Sequence, residues 1–146
     1  MVAAATAAVA FTAALVGYSL WPEGEGRSVV WGDLSAEVGP LTITRETKRV
    51  FRERKQLAEY LAASGSSTPA VDFERRQLLL VAPGPRSSTG YSLEVTRVRE
   101  RDGALTVTVR ERTPGLDERV EARVTFPYRL LSLPVGNDVY VDWRGR

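Results

Sequence analysis

From Val71 onward, apolar and polar positions alternate with a period close to two, which predicts a run of β-strands. Leu78, Leu79, Leu80 and Val81 interrupt the alternation with a continuous apolar run, as in a strand buried on both faces. Tyr91, Leu93 and Val95 alternate with Ser92, Glu94 and Thr96, and the phase shifts at Val98, which predicts a bulge. Asp102-Gly103 is a hairpin signal. Beyond it Leu105, Val107 and Val109 alternate with Thr106, Thr108 and Arg110, until Pro114-Gly115 breaks the strand. Val120, Ala122, Val124 and Phe126 alternate with charged or polar residues and predict another strand. Pro127 interrupts, Tyr128 to Leu133 resumes, and Pro134 with Gly136-Asn137 turns the chain into Val139 to Trp143.

Upstream, the β-branched residues of Leu41 to Phe51 predict one or two strands. Glu53 to Ala63 changes character: Leu57, Ala58 and Leu61 share one face with Tyr60 beside it, which predicts a short amphipathic helix ended by Ser64-Gly65. Together these elements predict an α+β, mainly β domain over residues 41–146. It has about seven or eight strands and one short helix. Hairpin connections favour an antiparallel curved sheet, or a flattened barrel or sandwich with the helix over an opening. Residues 23–40 are glycine-rich and read as linker, within which Val29-Val30-Trp31 is a candidate docking strand.

Residues 1–22 carry a different pattern. Val2 to Trp21 has no charged side chain, and twenty helical residues span roughly 30 Å, the thickness of a bilayer core. Tyr18 and Trp21 lie at the end where aromatic rings favour the membrane interface, and Pro22 stops the helix. Three readings fit: a transmembrane signal anchor, a cleaved signal peptide, and a buried core helix. The apolar length favours the anchor, and no positive n-region precedes it. The expected location is the cell membrane, single-pass, with the C-terminal domain extracytoplasmic, or secreted if the segment is cleaved.

Composition narrows the chemistry. The chain has no histidine and no cysteine, which excludes Ser-His-Asp and Cys-His catalysis, His/Cys metal sites and disulfides. Eighteen of the twenty basic residues are arginine, yet the net charge is only +2. Basic and acidic residues interleave, as in Arg97, Arg99, Glu100, Arg101 and Asp102, which reads as a solvated sheet face with cross-strand ion pairs and not as a nucleic-acid surface. Glu94 and Glu111 are expected at outward positions, which favours a solvated face over a catalytic pair. Asp72 is expected to make a local turn hydrogen bond while Phe73 enters the core.

The order of certain pieces resembles the C-terminal domain of the PrcB family, accessory subunits of bacterial extracellular protease complexes. They are Val71-Asp72-Phe73, the strand Leu78 to Val81, Gly84, and the loop Arg86-Ser87-Ser88-Thr89-Gly90-Tyr91-Ser92 leading into Leu93-Glu94-Val95. Pro114-Gly115, Val124-Thr125-Phe126-Pro127-Tyr128 and Leu133-Pro134 follow. The family usually has two glycines before the tyrosine of that loop, and this chain has only Gly90. The resemblance implies an extracytoplasmic partner domain that binds or stabilises a protease or other surface protein, and it names no catalytic residues; no cofactor and no metal are expected.

The candidate partner-binding residues are therefore Arg86, Ser87, Ser88, Thr89, Gly90 and Tyr91, with Pro114 and Gly115 as a turn that could lie beside them. The alternative for this loop is an ordinary turn, with Gly90 at a positive φ and Tyr91 as the first inward residue of its strand. Two further functions are weighed against the accessory role. One is a protease inhibitor whose Thr89-Gly90 is similar to the threonine-glycine loop of chagasin-like inhibitors. The other is a carbohydrate-binding or hydrolytic surface built from carboxylates and exposed aromatics.

Overall fold

A computed structural model describes residues 26–145 of the chain. The elements run β1 (Arg27–Ser28), β2 (Gly32–Asp33), α1 (Ser35–Val38), β3 (Thr47–Phe51), α2 (Arg54–Ala62), β4 (Arg76–Ala82), β5 (Ser92–Arg101), β6 (Ala104–Arg112), β7 (Arg129–Pro134) and β8 (Asp138–Arg144). The strands form two four-stranded sheets. The first is ordered β1-β5-β6-β8 and the second β2-β7-β4-β3. The dominance of β matches the sequence expectation, but residues 41–146 hold six strands, β3 to β8, fewer than the seven or eight expected there, and the sheets do not close into a barrel.

The apolar run in β4 explains the layering. Leu78, Leu80 and Ala82 join a core with Phe51, Leu130, and Leu57 and Leu61 of α2, while Leu79 and Val81 point the other way. There they meet Leu93, Val98, Leu105, Val107 and Val109 of the first sheet. The second sheet is thus the middle layer, covered by α2 on one face and by the first sheet on the other. A strand buried on both faces has no position at which a polar residue is free, so its pattern is continuous where β6 alternates. α2 buries Leu57 and Leu61, and the Tyr60 ring meets that of Phe51 tilted at 59°, with 5.4 Å between ring centroids. It ends at Gly65, whose φ of 66° lets Ser66 N–H return to the Leu61 carbonyl at 3.2 Å.

Two local signals are realised as expected. Asp102 and Gly103 both have positive φ (51° and 77°), as a two-residue hairpin between β5 and β6 needs. The β5–β6 register shifts between Val95 and Arg97, which is the bulge. Asp72 accepts the Glu74 N–H at 3.1 Å, and Phe73 packs against the α2-side core.

Four expectations are corrected. First, the first sheet is not purely antiparallel: β8 runs parallel to β6, with Leu105 opposite Val139 and Val109 opposite Trp143. The chain leaves β6, forms β7 in the other sheet, and returns, so a parallel partner arises from a crossover between sheets. Second, residues 120–126 form no strand; the chain bends at Arg123, whose N–H donates to the Glu121 carbonyl at 3.0 Å, and makes one isolated bridge, Arg86 to Thr125. Third, residues 27–38, expected as linker, contain β1, β2 and α1. The segment starts on the edge of β5, crosses, and pairs with β7. Fourth, Glu111 does not point outward; its side chain is 8% exposed. The helix expected over residues 1–22 lies outside the described residues. Among the described residues, no helix is long and apolar enough to cross a membrane.

One buried polar side chain holds the crossover in place. Gln77 is fully buried in β4, and its amide donates to the carbonyls of Pro134 (2.8 Å) and Asn137 (3.0 Å). Its Oε1 accepts from Arg52 Nε at 3.3 Å. The amide thereby satisfies two carbonyls of the turn that feeds β8, groups that would otherwise be desolvated without a partner.

Candidate functional site

The loop joining β4 to β5 and the long loop joining β6 to β7 are zipped together at one end of the sheets. Arg86 and Thr125 exchange two backbone hydrogen bonds, each 2.8 Å. Thr89 N–H donates to Glu121 O (3.0 Å), Glu121 N–H donates back to Thr89 Oγ1 (2.9 Å), and Thr125 Oγ1 donates to Ser88 O (2.8 Å). Gly90, at φ 95°, lies against the second loop: a Cβ there would meet Pro114 Cβ and Val120 Cγ1, each at 2.9 Å. The Gly90 carbonyl accepts from Arg112 Nη1 at 3.2 Å.

Charge fastens both ends of this zipper. The Arg86 guanidinium grips the Glu111 carboxylate with two hydrogen bonds, from Nε to Oε1 and from Nη2 to Oε2 (2.7 Å). It also donates to Pro85 O at 2.9 Å and lies 6.0 Å from the Tyr91 ring. Arg112 grips Glu118, and Glu118 also accepts the Gly115 N–H at 3.2 Å. The Arg112 hydrogen bonds, then that of Gly115, hold the Glu118 carboxyl below the usual carboxylate range.

The predicted residues are thus brought together: Arg86 to Tyr91 on one loop, Pro114 and Gly115 on the other, in contact through Gly90. Their roles differ from the expectation of a free recognition loop. Arg86, Thr89 and Gly90 spend their polar groups inside the domain. Ser87 is exposed. Tyr91 precedes β5 and lines a groove of about 380 Å³ with Leu93, Phe126 and Tyr128 on one side and Ala36 and Pro40 on the other. Tyr128 OH reaches the Ser35 carbonyl (3.0 Å) and that of Gly39, and burial pushes its pKa up.

The clamped loops present something the sequence reading missed. Leu116, Val120 and Val124 are all exposed, Leu116 completely. Val120 and Val124 were read only as alternating positions of a predicted strand. Leu116 carried a signal of its own, a large apolar residue directly after Pro114-Gly115 and before Asp117, where a turn needs none. Three exposed apolar side chains on one ordered loop make that loop a candidate protein contact. Among the described residues, no group of carboxylates is placed to hold a metal ion.

Residues 78–134 match the model of the family described as PrcB C-terminal, the family the sequence resembles. The matched stretch runs from within β4 to the end of β7 and includes both loops of the zipper. No curated protein and no solved structure matches the chain.

Proposed function

We propose, from the PrcB C-terminal match over residues 78–134, that this domain is a non-catalytic interaction module that engages or stabilises a protease outside the membrane, with residues 1–22 as its anchor. The observation that carries the reading is the exposure of Leu116, Val120 and Val124 on a loop held in one shape by Arg86, Thr89, Gly90 and Arg112. A loop ordered before binding loses little conformational entropy when it docks, so its apolar side chains add affinity efficiently. The neighbouring groove lined by Tyr91, Phe126 and Tyr128 suits a partner side chain inserted beside the patch. Thr89 already binds Glu121 through amide and hydroxyl, which argues against a chagasin-like insertion of the Thr89-Gly90 pair.

Co-purification from cells tests this. Full-length chain should carry a protease or protease subunit with it, and the Leu116→Asp, Val124→Asp double variant should lose that protein while folding normally. Equal recovery by both forms would refute the assigned surface.

A further inference from the structure

The outward face of the first sheet carries an unbalanced charge. Arg97, Arg99 and Arg101 follow one another at every second position of β5, about 6.8 Å apart, on the face turned away from the inter-sheet core. With Thr106 and Thr108 of β6 and Arg144 of β8 they line a groove of about 260 Å³. The lining contains four guanidinium groups and one carboxylate, Asp142, which Arg144 binds at 2.8 Å. Arg97 makes no ion pair among the described residues. Arg101 reaches only the highly exposed Asp102 of the hairpin, at 3.5 Å. Arg99 donates through Nη1 to the Gly26 carbonyl at 2.9 Å, and its Nε is buried with no acceptor. The other end of the same face is neutralised in the ordinary way, Arg110 against Glu94 at 3.2 Å. Guanidiniums interleaved with threonine hydroxyls make a donor surface for oxyanions, and guanidinium suits phosphate in particular.

The position of this face identifies the occupant. Gly26, whose carbonyl Arg99 holds, lies at its rim, and the uncharged run of residues 2–21 ends five residues before it. A fully extended peptide from Trp21 to Gly26 reaches at most about 18 Å. Wherever residues 1–22 enter a bilayer, the arginine groove is therefore held near the headgroup layer. A broad, solvent-facing row of cations matches an array of phosphates better than a single enclosed ion.

We propose that the Arg97-Arg99-Arg101 face, with Arg144, rests on the phosphate headgroups of anionic lipids and so sets which side of the domain faces away from the membrane. The proposal rests on the anchor reading of residues 1–22. Full-length chain is mixed with vesicles of phosphatidylcholine, or of phosphatidylcholine with phosphatidylglycerol. Flotation is measured first, then the rate of phenylglyoxal modification at each arginine by mass spectrometry. Flotation with neutral vesicles is expected from the anchor alone. Anionic vesicles should slow modification of Arg97 and Arg101 about fivefold relative to neutral ones, leave Arg54 on α2 unchanged, and lose the effect at high salt. The Arg97→Glu, Arg101→Glu variant should still float, with no protection of Arg144 by anionic lipid. Failure to float overturns the anchor reading and this proposal with it. Flotation without protection overturns this proposal alone. Equal protection by millimolar inorganic phosphate without vesicles would make the groove a free-ion site and also overturn it.

Discussion

Gly90 and Pro114 stand so close that a Cβ on the glycine would lie 2.9 Å from the Cβ of the proline. Gly90 also has φ 95°, a conformation that an L side chain rarely adopts. Both facts make glycine necessary at this point of the zipper. Gly90→Ala should cost about 2–3 kcal/mol, part from backbone strain and part from displacing Pro114 and Val120. Urea unfolding gives the stability loss. Faster hydrogen exchange at the Thr89 and Thr125 amides would place it between the two loops, since those amides bridge them.

Arg86 and Glu111 form the second fastening. The Glu111 side chain is 8% exposed and that of Arg86 24%, so the pair is partly shielded from water. Arg86→Met should destabilise by about 2–3 kcal/mol, at or just below the range for a buried pair that loses one partner, because Arg86 keeps some solvent contact. Arg86→Lys should recover part of that loss, restoring the charge but not the two-pronged grip on the carboxylate. Thermal melts of the three forms give the order wild type, lysine, methionine.

Glu118 links the second loop to pH. Its folded-state pKa is depressed by Arg112 and by the Gly115 N–H. A depressed carboxylate stabilises the fold fully above its unfolded value, and that contribution is lost as pH falls through the lower folded value. Acidification below the usual carboxylate range should therefore loosen residues 112–118 before the sheets unfold. Carboxyl NMR titration of Glu118 should report the low midpoint, and Glu118→Gln should remove the acid-dependent loosening of the Gly115 amide.

Gln77 holds the turn into β8 by donating to the Pro134 and Asn137 carbonyls. Gln77→Leu keeps the bulk and leaves those carbonyls without their donor, for a cost of about 2–3 kcal/mol. Trp143 of β8 packs in the inter-sheet core, so its fluorescence should shift to the red as the parallel strand loosens.

Much of the fold was legible because its signals are local. The Leu78–Val81 run is apolar on both faces, Asp102-Gly103 supplies two residues able to take positive φ, and Leu57 with Leu61 marks the buried face of α2. The parallel pairing of β6 with β8 was not legible, since its partners are separated by a strand of the other sheet, and no local pattern records that excursion. Residues 120–126 misled for a physical reason. Alternation alone does not keep a chain straight beside a sheet: this one bends at Arg123, where the backbone bonds back to Glu121, and only Thr125 finds a ladder partner, Arg86. The candidate site was legible as a set of residues but not as a set of roles. Sequence order could not tell that Arg86 turns back onto Glu111, or that the exposed apolar side chains belong to the facing loop.

Leu116 is fully exposed, so Leu116→Ser should leave stability within about 0.5 kcal/mol of wild type. Any loss of partner binding in that variant would then reflect the contact and not the fold. Chemical denaturation alongside a binding assay separates the two.

The most direct test is a map of photo-crosslinks in whole cells, with a crosslinking side chain placed in turn at Leu116, Val124, Tyr140 and Glu59. The loop-pair surface predicts one shared protein adduct, a protease or protease subunit, from Leu116 and Val124, and none from Glu59 on α2 or Tyr140 on the arginine-bearing sheet face. An adduct of that protein from Glu59 or Tyr140, with Leu116 and Val124 silent, would contradict it.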